Sequence, residues 1–381
     1  MKKKDKNLNV PNLRFPEFSG EWERSNLKRF ATKITKKNKG NMCSNVLSNS
    51  ANYGIIPQSD FFDRSIANSD NTDTYYVIEG GDFVYNPRKS TAAPYGPINV
   101  YEGTEVGIIS PLYLCFKVEW INKKYLYHYF KSNKWHPYMY INGDSGARHD
   151  RVSIKDDVFL DMPLFVPSQK EQLKITLLLD AIDKRIETQK KIIEKYESLI
   201  RGLYHSVFNQ PASTLQLKDV VSVVKGQQVN GEELLEYGKY YVMNGGTEPS
   251  GYLDVCNTPA NTISISEGGN SCGYVQYNTE PFWSGGHCYS LIQKEQSVNY
   301  QYLYHFLKYK ERNIMALRIG SGLPNVQKKD LERFEIRVLP TKQQNRVAEI
   351  LEDVSAKCDL EKRILQGWQC QKSYLLHNLF I

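Results

Sequence analysis

The side chains of this chain that could do chemistry are mainly cationic and amide groups. Between Arg24 and Gly40 the sequence has seven basic residues and no acidic one. Such a run favours a polyanion, because each phosphate that it neutralises releases counterions. The alternative is an ordinary solvated surface, since a net charge of +7 is compatible with many functions.

Further cationic and amide residues stand near glycine-containing turns. Arg, Lys, Asn and Gln can form bidentate hydrogen bonds with base edges in the major groove. Each could equally be a surface polar residue, since half or more of protein–DNA hydrogen bonds go to phosphate and sugar. With the basic run, the candidate DNA contacts are Lys33, Lys36, Lys37, Arg88, Lys89, Arg148, Arg151, Lys225, Gln227, Gln228, Asn244 and Arg318.

The sequence contains no recognisable catalytic motif. It lacks Gly-x-x-x-x-Gly-Lys-Ser/Thr and His-Glu-x-x-His, and Asn86-Pro87-Arg88 falls short of the Asn/Asp-Pro-Pro-aromatic motif of amino-methyltransferases. His287-Cys288 could ligate a metal, but no further Cys or His stands at ligand spacing. These residues indicate binding rather than catalysis.

The seven cysteines include no Cys-x-x-Cys pair. An odd count without a signal peptide is typical of reduced thiols, so we expect a cytoplasmic location and no metal site. No apolar run approaches the roughly 18 residues of a membrane helix.

Two long helices are predicted to position these side chains. From Pro167 to Phe208, apolar residues recur at steps of three and four, which is the pattern of a coiled-coil seam. The last part of the sequence repeats this pattern, with each member 172 residues after its counterpart, as Leu351 follows Leu179. One apolar face on each helix predicts that the two helices pair. The predicted seam residues are Leu179, Ile182, Ile186, Ile193, Tyr196, Ile200, Leu203, Leu351, Val354, Leu365, Trp368 and Leu375.

The helices belong to a longer internal repeat. Residues 125–130 (Tyr-Leu-Tyr-His-Tyr-Phe) are echoed by residues 302–307 (Tyr-Leu-Tyr-His-Phe-Leu). Pro167 and Pro340 lie 173 rather than 172 residues apart, which predicts a one-residue slip between the copies. A repeat of this length gives two domains of ordinary size.

Glycine and proline turns between short apolar runs predict mixed α and β modules. Residues 108–118 are expected to form one buried strand, and residues 125–131 a short helix. Residues 1–17 are polar and basic, which favours a mostly extended arm.

Two divergent modules, each followed by a Pro-Ser/Thr step and a long seam helix, resemble the specificity subunit of type I restriction-modification systems. The similarity covers essentially the whole chain. It is most specific at residues 11–18 (Pro-Asn-Leu-Arg-Phe-Pro-Glu-Phe), Trp22, residues 167–172 and residues 179–186. The second copy departs from the pattern, because Gln343-Gln344-Asn345 replaces Lys170-Glu171-Gln172 and because Glu361 and Lys372 interrupt its seam.

The resemblance implies an α+β fold with an internal pseudo-two-fold repeat. Two β-rich target-recognition domains would be separated by two long helices that form an antiparallel coiled coil. The predicted segments are a basic N-terminal arm (1–17), target-recognition domain 1 (18–166), a central conserved helix (167–210), target-recognition domain 2 (211–339) and a C-terminal conserved helix (340–381).

The resemblance also implies a non-catalytic subunit that reads a bipartite target in double-stranded DNA, one half per module, in bacterial defence. Its partners would be methyltransferase (modification) subunits and a translocase/nuclease (restriction) subunit. S-adenosylmethionine, ATP and Mg would be bound by those partners, and this chain would hold no cofactor.

Two alternatives remain open at the level of the sequence. A coiled-coil assembly or adhesion-type protein could bind protein or glycan through such modules, because 26 tyrosines would suit a contact surface. An enzyme with a divergent site is the third alternative. Salt-sensitive DNA binding would distinguish the DNA-recognition subunit from the assembly protein, whereas the enzyme alternative would require activity from the purified chain alone.

Overall fold

The computed structural model describes residues 9–60, 72–144, 150–294, 298–320, 322 and 324–381. By its internal contacts the chain divides into two compact units. Unit 1 comprises Met1–Thr188 and Leu365–Ile381, and unit 2 comprises Gln189–Ile364. Each unit therefore combines one β-rich module with part of each long helix. The predicted segment boundaries follow the sequence pattern rather than these contacts, and they stay a prediction.

Unit 1 is built from short strands and short helices, followed by the first long helix, α4, which continues into unit 2. The strands are β1 (Glu23–Asn26), β2 (Ala31–Lys33), β3 (Val46–Ser50), β4 (Gly54–Pro57), β5 (Tyr76–Ile78), β6 (Phe83–Tyr85), β7 (Ile98–Val100), β8 (Gly107–Ile109), β9 (Leu114–Val118) and β10 (Pro163–Val166). The helices are α1 (Lys123–Lys131), α2 (His136–Asn142), α3 (Asp156–Leu160) and α4 (Gln169–Phe208).

Unit 2 repeats much of this order, and the second long helix, α9, returns from it to unit 1. Its strands are β11 (Ser213–Gln216), β12 (Val221–Lys225), β13 (Tyr240–Met243), β14 (Tyr252–Leu253), β15 (Thr262–Ser266), β16 (Val275–Asn278), β17 (Trp283–Ser284), β18 (Cys288–Gln293) and β19 (Glu335–Val338). The helices are α5 (Leu217–Val220), α6 (Tyr300–Tyr309), α7 (Glu311–Met315), α8 (Lys328–Glu332) and α9 (Thr341–Asn378).

The sheets of the two units have matching topologies. The sheet β2-β9-β6-β7 of unit 1 corresponds to β12-β18-β15-β16 of unit 2, and all their pairs are antiparallel. In β4-β3-β8-β5 and β14-β13-β17 the sheet includes one parallel pair, β3-β8 and β13-β17. The pairs β1-β10 and β11-β19 bring the start and end of each module together. These features and the long helix between the modules confirm the predicted α+β fold with two β-rich domains.

Each module places one helix over its sheet by the same local device. The Asn122 side chain accepts a hydrogen bond from the Tyr125 amide at the start of α1, and Asn299 does the same for Tyr302 at the start of α6. Such caps satisfy backbone donors that a helix end leaves free. The buried Tyr125 and Tyr302 then join the core of their own unit.

Within each unit the two long helices run antiparallel. In unit 1, Asp183 of α4 forms an ion pair with Lys372 of α9, whereas the later Arg185 lies 5.2 Å from the ring centroid of the earlier Trp368. In unit 2, the Gln189 side chain donates to the Glu361 carbonyl oxygen at 3.1 Å. Leu351 joins a core cluster with residues near the end of α4.

All of the predicted seam residues are buried or half-buried. The two residues that appeared to interrupt the second seam, Glu361 and Lys372, have partners on α4. The interruptions are therefore polar contacts between the helices.

Two local predictions were wrong. Residues 108–118 do not form one strand, because β8 and β9 are separated by a turn in which the Tyr113 amide donates to the Ser110 carbonyl. Proline at position 111 has no amide hydrogen for a sheet, which favours this break. The predicted one-residue slip between the copies is also absent.

The register at the start of the long helices shows why there is no slip. Gln172 donates from Nε2 to the Pro167 carbonyl and accepts from the Asn122 amide, both at 2.9 Å. Gln344 makes the same two bonds with Leu339 at 2.7 Å and Asn299 at 2.8 Å. Gln172 and Gln344 lie 172 residues apart, as the seam residues do. The two prolines therefore occupy different positions in the two copies.

Candidate nucleic-acid interface

Several predicted DNA-contacting residues of unit 1 lie around one cleft. Lys33, the last residue of β2, forms an ion pair with Asp156 at 2.5 Å. Lys37 pairs through its backbone with Tyr76, which lines the cleft. Arg88 and Arg151 pair through their backbones. We call Lys33, Lys37, Arg88 and Arg151, with Tyr76 and Tyr113, the cationic cleft.

The interior of the cationic cleft is about 160 Å³ and is lined by tyrosine and turn residues, among them Tyr76, Leu112 and Tyr113. Burial raises the pKa of Tyr113, while the neighbouring charges of Arg151 and Arg88 act in the opposite direction. Arg88 is 70% exposed at its side chain and lies 3.9 Å from Asp150, so most of its charge faces solvent. The cations thus flank the cleft, whereas Asp156 lies in its lining and pairs with Lys33.

The other predicted residues of unit 1 are placed as follows. Lys36 is exposed, and its carbonyl accepts from the Val77 amide at 2.9 Å. The Lys89 amide donates to the Asp150 carbonyl at 2.8 Å, which holds it beside Arg88. Arg148 lies outside the described residues.

In unit 2 two of the predicted residues, Lys225 and Asn244, line a pocket built from turns. Turns follow β13, β15 and β17, and residues from all three turns line a pocket with a volume of about 640 Å³. We call it the glycine pocket, and its lining residues are Lys225, Asn244, Gly245, Gly246, Ser250, Glu267, Gly268, Gly269, His287, Pro324 and Asn325. Lys225 Nζ lies 2.7 Å from Glu267 Oε1, and Asn244 Oδ1 accepts from the His287 amide at 3.0 Å.

Glycine is required where these turns approach one another. A Cβ at Gly285 would lie 2.6 Å from Asn244 Oδ1, and a Cβ at Gly286 would lie 2.2 Å from Gln228 Oε1. Gln227 lies beside the same turn, because its carbonyl accepts from Trp283 Nε1 at 3.0 Å. Arg318 is exposed and precedes Ile319, which pairs with Asn325 of the pocket.

The turns at the cationic cleft and at the glycine pocket occupy equivalent positions. The Glu119 amide donates to the Phe30 carbonyl at 2.8 Å, and the Lys294 amide donates to the Val220 carbonyl at 2.9 Å, each just after the matching strand. Counting back seven residues from Glu119 and Lys294 gives Leu112 and His287. Leu112 is 60% exposed, and the His287 side chain is 61% exposed.

Sequence reasoning missed three residues of these surfaces. Leu112 lies in the segment that the sequence predicts as one buried strand, and Glu267 stands directly before the Gly268-Gly269 pair. His287 was considered only as a metal ligand. In the described part of the chain, no three His, Cys, Asp or Glu residues are grouped so that they could hold a metal ion. The signal that could have found Glu267 and His287 is their position beside Gly-Gly pairs.

The buried thiols do not form a nucleophilic site. Burial raises the pKa of Cys115 to about 12 and that of Cys288 to about 11, so both are protonated at neutral pH. No helix that the structure describes is long and apolar enough to span a membrane.

Comparisons with known proteins agree with the matched topology of the two units. Residues 210–367 match the model of the type I restriction modification DNA specificity domain. A type I specificity subunit of Mycoplasma genitalium is 30% identical over 166 residues, which cover 41% of this chain and 43% of that protein. One from Mycoplasma pneumoniae is 28% identical over 166 residues, covering 43% and 44%. The chain thus spans less than half the length of these relatives.

Solved structures are similar over almost the whole chain. The crystal structure of a type I restriction-modification S subunit from M. genitalium has a TM-score of 0.69 at 18% identity, covering 98% of this chain and 99% of that chain. A structure from work on complex assembly and conformational transition of the type I system has a TM-score of 0.54 at 14% identity, covering 93% and 96%. These two likenesses concern the fold.

The architecture and the matched segment define a DNA specificity domain of the type I restriction-modification class. The match of residues 210–367 and the similarity to type I specificity subunits confirm the resemblance seen in the sequence.

Proposed function

We propose that this chain is the DNA-recognition subunit of a type I restriction-modification complex, in which each unit reads one half of a split target in double-stranded DNA. The observation that carries the proposal is the placement of the predicted contacts. In unit 1 one cleft is flanked by Lys33, Lys37, Arg88 and Arg151, and in unit 2 one pocket is lined by Lys225 and Asn244, beside equivalent turns.

The chemistry of these two surfaces supports base reading rather than catalysis. Cations around the cationic cleft suit phosphates, which fix the register of a protein on DNA. Amide and charged side chains at the glycine pocket suit base edges. Because Leu112 and His287 occupy equivalent positions, the two units would read different half-sites.

In this proposal the catalytic steps belong to partner subunits. A modification subunit would use S-adenosylmethionine, a restriction subunit would use ATP and Mg, and this chain would bind none of them. Exposed apolar residues on α4 and α9 would support docking, since large apolar side chains in water favour protein contacts. They are Leu173, Leu177, Leu199, Ile350, Leu360, Ile364 and Tyr374, each between 39% and 61% exposed.

The test is DNA binding by the chain together with its modification partner, measured over a range of salt concentrations. Wild-type protein should prefer one split motif, and its affinity should fall steeply with salt. Replacing Lys33, Lys36 and Lys37 together with Gln should weaken binding to target and random DNA almost equally. The slope of log affinity against log salt should flatten by about 0.9 for each phosphate that the variant no longer neutralises.

The matched control replaces Lys190, Lys195 and Lys357, which are exposed on the long helices, and changes the charge equally. Its salt slope should stay at the wild-type value. An unchanged slope in the variant of Lys33, Lys36 and Lys37 would show that the basic run is an ordinary solvated surface. Wild-type protein that ignores DNA but binds a protein or glycan would favour the assembly-protein alternative.

A further inference from the structure

The glycine pocket contains a carboxylate that is only half satisfied. Glu267 is 8% exposed. Its Oε1 accepts hydrogen bonds from Lys225 Nζ at 2.7 Å and from the Tyr289 hydroxyl at 3.0 Å. Its Oε2 is buried and has no hydrogen-bond partner among the residues that the structure describes. His287 Nδ1 lies 3.8 Å from Oε2, which is beyond hydrogen-bond distance.

This arrangement selects the chemistry of a ligand. An ionised carboxylate only accepts hydrogen bonds, so its free oxygen requires a donor. A phosphate brings acceptors and negative charge and is therefore disfavoured beside Oε2. In the major groove, adenine and cytosine each present an amino group, whereas guanine O6 and N7 and thymine O4 are acceptors. An unpaired buried acceptor is unfavourable, so a donor that fills it gains affinity.

The walls of the pocket allow a base edge to come close. Gly245, Gly246, Gly268 and Gly269 line it and present backbone without side chains. The imidazole of His287 lies beside Oε2, and 61% of this side chain is exposed. It can therefore swing into solvent when a donor approaches.

We propose that Glu267 is a specificity-determining residue for one position of the half-site read by unit 2, where Oε2 accepts a hydrogen bond from the amino group of an adenine or cytosine. This inference rests on the proposed function. The strand register identifies the equivalent position in unit 1. Tyr85 pairs with Leu114 and Ile265 pairs with Tyr289, and these two partners each lie five residues before the matched amides of Glu119 and Lys294. Two residues after Tyr85, unit 1 has Pro87, whereas two residues after Ile265, unit 2 has Glu267. Unit 1 therefore has no carboxylate at the position equivalent to Glu267.

The experiment measures binding of the chain with its modification partner to duplexes that carry the wild-type motif. In each duplex, one adenine is replaced by purine or one cytosine by 2-pyrimidinone, so that one amino group is removed. With wild-type protein, one position of one half-site should lose about tenfold in affinity. Glu267→Met, which removes both acceptor oxygens, should bind the natural duplex about tenfold more weakly and should no longer respond to the removed group at that position.

A control variant separates base reading from a structural role. Glu280→Met changes an exposed carboxylate of the same unit outside the pocket and should keep the response to the removed amino group. If Glu267→Met keeps that response, or weakens binding to target and to random DNA by the same factor, Glu267 only anchors Lys225 and the inference is overturned. If wild-type protein shows no preference for any motif, the proposed function itself is overturned.

Discussion

Glu171 and Gln343 occupy the same position in the two units, one residue before the paired glutamines Gln172 and Gln344. Glu171 is 2% exposed and forms two hydrogen bonds of 2.8 Å with Arg14. Its Oε1 also accepts from Trp22 Nε1 at 3.2 Å. Gln343 is exposed. In unit 1, Arg14 and Trp22 therefore cover this position of the long helix, whereas the equivalent position in unit 2 is exposed.

The comparison extends from this contact to the rest of each unit. The positions that match satisfy buried backbone groups, as Gln172 and Gln344 do. Other positions differ, some on surfaces, as Leu112 and His287 do, and one at the buried Glu171. A buried backbone group must be paired wherever it occurs, whereas a surface side chain is free to differ between units. The two units therefore share the hydrogen bonds that pair buried backbone groups, which we call the shared frame, whereas their surface side chains differ.

The largest expected difference between the units comes from Glu171. Glu171→Ala would leave the largely buried Arg14 charge unpaired, so it should destabilise unit 1 by about 4 kcal/mol. The matched change Gln343→Ala should alter unit 2 by less than about 0.5 kcal/mol. Hydrogen exchange of peptides from α1 and α6 reports each unit separately. Equal effects in both units would break the comparison.

A smaller difference is expected from two buried histidines in α1 and α6. Burial lowers the pKa of His305 from 6.5 to about 4, and its Nδ1 lies 3.0 Å from the Tyr204 hydroxyl. Burial also lowers the pKa of His128, but a hydrogen bond with Asp180 opposes that change. In both cases the unfolded chain binds a proton more readily than the folded one, so stability falls as the pH falls from 6.5.

For unit 2 the loss between pH 7 and pH 4 should be about 3 kcal/mol, since each pH unit across this window is worth about 1.4 kcal/mol. Unit 1 should lose less, because of Asp180. Unit-resolved hydrogen exchange at both pH values measures this. His305→Phe should remove most of the dependence in unit 2, and the exposed His205→Gln should leave it. A steeper loss in unit 1 would contradict the prediction.

The smallest change should follow from the paired glutamines. Gln172→Leu and Gln344→Leu each remove two hydrogen bonds to backbone groups, so each should destabilise its own unit by about 2 kcal/mol. The two losses should be equal within about 0.5 kcal/mol, which would sharpen the view of a shared frame. Denaturant titrations of hydrogen exchange provide the measurement. A large loss in one unit only would show that the two frames differ.

The helices were predictable because their causes are local. The spacing of apolar residues predicts α4 and α9, and the repeated Tyr-Leu-Tyr-His sequence predicts α1 and α6. The register of the two copies was not predictable from the sequence. Its prediction depends on aligning Pro167 with Pro340, whereas in the structure Gln172 and Gln344 are equivalent because each forms hydrogen bonds with a residue distant in the sequence.

The candidate site was predictable only in residue type. Lys33 and Lys225 were identified as cations, but their partners Asp156 and Glu267 come from other strands or helices and depend on tertiary packing. The half-satisfied state of Glu267 arises from Tyr289, Lys225 and His287 together. No local pattern encodes that arrangement.

The composition of unit 1 has a consequence for synthesis on the ribosome. Its core includes Leu375, Leu379 and Phe380, and Phe380 lies 5.4 Å from Tyr125 and 6.0 Å from Tyr129 between ring centroids. Unit 2 is one continuous segment, Gln189–Ile364. At about 5–20 residues per second, residues 365–381 emerge roughly 10–35 s after residue 188. Synthesis of unit 1 therefore begins first, but its core is completed last. Until residues 365–381 emerge, the aromatic side chains that Phe380 contacts, Tyr125 and Tyr129, are accessible to chaperones.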